Sequence, residues 1–107
     1  MTDKIVIFST ASSQEEADQL ARALLERRAA ACVNIVPQVR SLYRWQGKIE
    51  ESVEYLLIVK SNCERMGEIR DILSTHHSYE VPELLALPVT DGSPAYLEWI
   101  DHETTKD

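Results

Sequence analysis

Hydrophobic and polar positions alternate most regularly between Cys32 and Lys60. The alternation predicts two long strands, Cys32–Trp45 and Lys48–Lys60, joined at Gln46-Gly47. On the second strand Ile49, Glu51, Val53, Tyr55, Leu57 and Val59 share one face, and Glu50, Ser52, Glu54, Leu56, Ile58 and Lys60 share the other. Each strand would reach about 43 Å at roughly 3.3 Å per residue. A compact domain of 107 residues has a diameter of roughly 34 Å. The hairpin is thus longer than the body that carries it, and its open edges mark it as an assembly arm. Pro37 lies inside the first strand and has no N–H for a ladder, so a bulge and an edge position are expected there. Beyond it Val39, Ser41, Tyr43 and Trp45 line one face, with Arg40, Leu42 and Arg44 on the other. Aromatic residues near an exposed tip serve self-association or a ligand platform, and self-association is the more economical account.

The remaining pattern alternates strands with helices. Ile5-Val6-Ile7-Phe8 is a β-branched apolar run, expected as a strand buried on both faces and ended by Ser9-Thr10-Ala11-Ser12. Ser13-Gln14-Glu15-Glu16 has the form of a capping box. After it Ala17, Leu20, Ala21, Leu24 and Leu25 recur at helical spacing, with Glu16, Gln19, Arg22 and Glu26 on the polar side; this predicts a helix from Gln14 to Arg28. Arg27 and Arg28 suit that helix's negative end. Ser61-Asn62-Cys63-Glu64 is a second capping box, opening a helix with Met66, Ile69, Ile72 and Leu73 on its apolar side and an end near His76. The segment from His77 to Glu83 is irregular, since Pro82 disfavours helix at Val81. Leu84-Leu85-Ala86-Leu87 forms a fourth strand, closed by Pro88, and Ser93-Pro94 opens a last helix, Pro94–His102. The tail Glu103–Asp107 is expected to fray.

Strand, helix, strand, strand, helix, strand and a C-terminal helix make an α+β fold, a ferredoxin-like βαββαβ sandwich in a single domain spanning 1–107. The two repeat helices cover one sheet face. The face bearing Val53, Tyr55, Leu57 and Val59 is expected on the other side, too apolar for water, covered by the C-terminal helix, another subunit, or both.

Charge narrows the partners. Lys and Arg number 11 against 18 Asp and Glu, a net charge of −7, which argues against nucleic acid or an anionic membrane. No apolar run approaches the roughly 18 residues of a membrane span, and Met1-Thr2-Asp3-Lys4 lacks the regions of a signal peptide. A cytoplasmic location is expected. Cys32 and Cys63 are too few for a disulfide framework and read as free thiols, Cys32 as a small apolar strand residue. With glycines only at 47, 67 and 92, a GxGxxG nucleotide cradle is excluded.

The chemically suggestive cluster is His76-His77-Ser78-Tyr79-Glu80, followed by Glu83. Imidazoles with carboxylates suit copper, zinc or nickel. Alternatively His76 completes the apolar stripe after Ile69, Ile72 and Leu73, or caps the helix's last carbonyls, while His77 faces water. An acid–base role for Glu80 or Glu83 requires a pocket.

Three stretches carry a family resemblance: Ala30-Ala31-Cys32-Val33-Asn34-Ile35-Val36-Pro37, Ser41-Leu42-Tyr43-Arg44-Trp45-Gln46-Gly47-Lys48-Ile49, and His77-Ser78-Tyr79-Glu80-Val81-Pro82-Glu83. With the Tyr96-Leu97-Glu98-Trp99 helix, they resemble the signature stretches of the CutA divalent-cation tolerance family. The resemblance implies a homotrimer similar in assembly to the PII nitrogen-regulatory proteins, and a role in tolerance to copper and other divalent cations. It carries copper ligation to His76 and His77, and to Ser9, which stands at the family's cysteine position and is a poorer ligand for a soft metal. Ser78 stands where the family has proline, a change expected to loosen the loop holding Tyr79.

Three functions follow. The first is a non-enzymatic cytoplasmic homotrimer binding copper or another divalent cation weakly. The second is a PII-like sensing module whose inter-subunit clefts, lined by Trp45, Lys60, Tyr79 and Glu80, hold a small molecule that biases a protein partner. An enzyme using Glu80 or Cys63 is the third and least supported, because neither has an evident partner group.

Overall fold

A computed structural model describes residues 1–106. Strand β1 (Lys4–Ala11) leads to helix α1 (Gln14–Glu26), the hairpin of β2 (Cys32–Trp45) and β3 (Lys48–Asn62), a 3₁₀ turn at Cys63–Arg65, helix α2 (Met66–His76), strand β4 (Leu85–Pro88) and helix α3 (Pro94–Thr104). The four strands pair antiparallel in the order β2-β3-β1-β4. Both Pro-bearing strands, β2 and β4, lie at edges, where a missing N–H costs no ladder bond.

The hairpin governs the shape. The molecule measures 44 × 25 × 22 Å, the long axis matching the expected strand length. Its turn places Gln46 at φ 51° and Gly47 at φ 80°, the left-handed pair that a two-residue hairpin connection needs. Register breaks between Val36 and Val39, with Gln38 at φ 60°. This is the bulge expected from Pro37. One extra residue on β2 swaps its faces, so Val39, Ser41, Tyr43 and Trp45 lie with Glu54, Ser52, Glu50 and Lys48.

The core lies between α1, α2 and one sheet face. Ile7, Leu20, Leu24, Leu57, Val59, Ile69, Ile72 and Leu73 are essentially inaccessible. This corrects the expected sheet orientation: Leu57 and Val59 are under the repeat helices. The other face carries Phe8, Leu56, Ile58, Leu85 and Leu87. Both faces of inner β3 are apolar, so alternation alone does not say which one the helices choose. Helix α3 packs on β1 and β3. There Asp101 accepts from Asn62 at 3.0 Å and pairs with Lys4 at 3.5 Å. Leu85 stays 59% exposed and Leu87 42%.

Several boundaries move. β1 runs on to Ala11 because Ser9, Thr10 and Ala11 pair with Leu57, Leu56 and Tyr55; partner strands override their weak pattern. Helix α1 stops two residues short of Arg28, which adopts φ 56° while the Ala29 N–H returns to the Leu24 carbonyl. The Arg28 guanidinium donates instead to the His102 and Thr105 carbonyls. The second capping box does not form. Ser61 is a buried strand residue donating to the Ala29 carbonyl at 2.5 Å, and Asn62 caps by accepting from Glu64 N–H. α3 continues through Thr104, which is buried and donates to the Ile100 carbonyl. Lys106 pairs with Glu68, so the tail is tethered rather than frayed; Asp107 lies outside the described residues. Cys32 is half-buried and Cys63 exposed, both unpaired.

Candidate functional site

The ends of β1 and α2, the first turn of α1 and the segment after α2 meet around one histidine. His77 is the residue at which α2 stops, its N–H donating to the Leu73 carbonyl at 3.1 Å and its backbone turning extended. That turn drives its ring inward until the side chain has no exposed surface. Nδ1 accepts the Tyr79 amide proton at 3.0 Å, and Nε2 lies 2.6 Å from the Thr10 carbonyl. A carbonyl only accepts and an amide N–H only donates, so the partners fix the tautomer with its proton on Nε2.

Glu16 sits beside it. Its carboxylate accepts from the Ser12 amide at 2.9 Å, the Ser12 hydroxyl at 3.0 Å and the Ser78 amide at 2.6 Å, with His77 Nδ1 3.7 Å away. Burial by itself raises the carboxyl's pKa, and the Ser78 and Ser12 hydrogen bonds more than reverse that, bringing it to about 2. Glu16 was expected on the polar side of α1. It is instead 8% exposed, because the segment after α2 folds over the first turn of that helix. The Ser13 hydroxyl does cap α1 by accepting from Glu16 N–H at 3.1 Å. Ser78 does not loosen the loop: its N–H, which a proline would lack, is the donor holding it to Glu16.

Tyr79 carries the network across to the sheet. Its hydroxyl donates to Glu54 Oε2 at 2.7 Å, and its ring lies 4.7 Å from that of His77. Burial raises the phenol's pKa, and the Glu54 carboxylate pushes it the same way. Glu83 is likewise raised, first by burial and then by the Glu54 charge. The Ser9 hydroxyl is buried and donates to the Glu83 carbonyl at 2.7 Å, tying the segment to β1.

The residues read from the sequence are therefore only partly assembled. His77, Tyr79 and Ser9 all fasten the same segment, whereas His76 and Glu80 are exposed beside it. Trp45 pairs with Lys48 at the hairpin tip, and Lys60 pairs with Cys32 and bonds Asn34 at the far end of the strand. Twelve strand residues separate Lys48 from Lys60, about 40 Å, so Trp45 and Lys60 do not line one cleft within a single copy.

Nor do the three metal candidates form a ligand set. Both nitrogens of His77 are engaged, the Ser9 hydroxyl is buried and spent on a carbonyl, and a neutral hydroxyl suits copper poorly. Among the described residues no three His, Cys, Asp or Glu side chains cluster as ligands. The residues that pattern reading missed are Glu16 and Glu54, each a carboxylate in an otherwise amphipathic element.

Against known proteins, the model of the family described as CutA1 divalent ion tolerance protein matches residues 5–103. The chain belongs to that family. The divalent-cation tolerance protein CutA of Thermus thermophilus is 43% identical over 92% of this chain and 96% of its own length. The mouse protein CutA is 42% identical over 92% of this chain, which spans only 55% of that longer protein. The solved Thermus structure superposes with a TM-score of 0.93 at 42% identity, over 95% of this chain and 99% of that one. The Archaeoglobus fulgidus structure, described as a periplasmic divalent cation tolerance protein, gives 0.92 at 42% identity, over 95% of this chain and 99% of that one. In this chain the His77–Glu83 segment is the irregular stretch between α2 and β4, bound down by side chains from both sheet and helix.

Proposed function

We propose that this chain serves divalent-cation tolerance as a non-catalytic homotrimer of the cytoplasm. The observation that carries the reading is the sheet face opposite the repeat helices, which α3 covers only in part. Half-buried Phe8, Leu56 and Ile58 with exposed Leu85 and Leu87 form an apolar surface continuous with a hairpin whose Tyr43 and Trp45 are exposed. Contiguous apolar area of this kind calls for a protein partner, and copies of the same chain supply it most economically. Family membership gives the cation its place, since the Thermus and Archaeoglobus relatives are named for divalent-cation tolerance. The free thiols of Cys32 and Cys63 fit a reducing compartment, and among the described residues no helix is long and apolar enough to cross a membrane.

Metal enters as cargo, copper or another divalent cation held weakly at the surface. Exposed His76 offers a free imidazole, whereas His77 and Ser9 hold the loop. Calorimetric titration with Cu(II) tests the assignment: His76→Ala should remove most of the heat and His77→Ala should destabilise the fold. Unchanged binding in His76→Ala refutes the role of His76. Light scattering at micromolar concentration should give three times the protomer mass, and a clear monomer would refute the assembly.

A second reading has one observation in its favour. Tyr79, Glu54 and Glu83 form a polar corner at the margin of the apolar face, which suits a small ligand held between subunits, as in a PII-like sensor. Thermal stabilisation by a metabolite in metal-free buffer would favour it.

A further inference from the structure

Glu54 is a carboxylate 92% removed from water by this chain alone, being 8% exposed. Among the described residues its one donor is the neutral Tyr79 hydroxyl at 2.7 Å, and it has no ion pair. A buried anion without a cation is costly unless something not in the protomer neutralises it. The even-numbered side of β3 that carries Glu54 is continuous with the open apolar face through Leu56 and Ile58, so whatever covers that face also covers Glu54.

The same side of the hairpin carries two cations without an ion pair among the described residues, Lys48 and Lys60, and of these only Lys48 is free of a hydrogen bond to a neighbouring side chain. Lys48 pairs with Trp45 at the tip and makes no ion pair among the described residues. The bulge places Arg40 and Arg44 on the opposite side, with Arg40 bound to Glu51. Lys60 is bonded to Asn34, and Lys4 to Asp3 and Asp101. Within one copy Lys48 cannot reach Glu54: six strand residues put them about 20 Å apart.

We infer that a second copy completes the site, its hairpin tip laying Lys48 against the Glu54–Tyr79 pair, so that each interface contains a buried intermolecular ion pair beside the apolar face. The inference rests on the homotrimer reading. Charge complementarity selects Lys48, and the overhang of the hairpin beyond its own body supplies the reach. Trp45, opposite Lys48, would cover the pair from water.

A double-mutant cycle on the full chain tests this: wild type, Lys48→Met, Glu54→Gln and the double variant, with dissociation followed by sedimentation over a dilution series. Each single change should weaken assembly by about 30-fold or more. The double should be no weaker than the worse single, and Lys48→Arg should assemble nearly as wild type does. Gln retains an acceptor for Tyr79, and Lys48 is exposed in the protomer, so circular dichroism should be unchanged in Lys48→Met. Unaltered assembly in Lys48→Met, or losses that simply multiply in the double variant, would overturn the pairing while leaving the trimer standing. Monomeric wild type at every concentration would overturn the trimer reading itself.

Discussion

The Glu16 carboxylate is the place where acid should undo this fold. It receives three hydrogen bonds from Ser12 and Ser78, and its pKa falls from the ordinary 4.5 to about 2. At about 1.4 kcal/mol per unit the shift has an upper bound near 3 kcal/mol, and solvent reaching the carboxylate edge reduces it to about 2 kcal/mol. The folded pKa is depressed, so this stabilisation is complete above the unfolded value of 4.5 and is lost as the pH falls through 2. Glu16→Gln keeps one acceptor oxygen but turns an NH₂ group toward one of the amide donors, leaving that donor unsatisfied. Urea unfolding followed by circular dichroism from pH 2 to pH 7, at fixed protomer concentration, should find the variant about 2 kcal/mol weaker at neutral pH. The gap should close toward pH 2. Parallel stability curves, with the same gap at both ends, would refute the reading that these hydrogen bonds act through the charge.

Other positions report on other parts of the structure. Ser78→Pro removes the amide that donates to Glu16 and should cost about 1–2 kcal/mol in urea unfolding, after the roughly 0.5 kcal/mol a proline returns by restricting the unfolded chain. Tyr79→Phe leaves Glu54 without its donor and should cost about 1.5–3 kcal/mol. Because the Tyr79 phenol is raised, wild-type stability is full below its ordinary value of 10.0 and declines as pH rises through the folded value, a decline that Tyr79→Phe should lack. Gln46→Asn, at φ 51° ahead of Gly47, should raise the thermal midpoint slightly, since Asn tolerates the left-handed region better; a fall would refute the turn geometry. Ser61→Ala should cost about 1–3 kcal/mol by orphaning the buried Ala29 carbonyl, whereas a surface helix-cap residue would lose less and leave hydrogen exchange at the β3 end unchanged.

Much of the architecture was legible because it is written in periodicity. The 2-residue repeat from Cys32 to Lys60, the 3.6-residue repeat after Ser13 and the prolines at 37 and 88 place strands, helix and edges without reference to distant residues. Element ends were less legible. Ser9, Thr10 and Ala11 look like a break until β3 is laid beside them, and Ser61 looks like a cap until its hydroxyl is seen against Ala29. Thr104 is buried where α3 packs on β1 and β3, and Lys106 pairs with Glu68, contacts that lie far off in sequence.

The candidate site divides the same way. The sequence by itself determined the α+β element order, the overhanging hairpin with its bend, and a chemically unusual stretch from His76 to Glu83. Those features depend on local backbone preference and on spacing along one strand or helix. Only the tertiary structure decided which sheet face the helices cover, that His77 is locked on both nitrogens, and that the Glu16 and Glu54 carboxylates are buried. The His77–Thr10, Ser78–Glu16 and Tyr79–Glu54 hydrogen bonds each span a gap of 25 to 67 residues. A carboxylate reads as solvated until the fold closes over it.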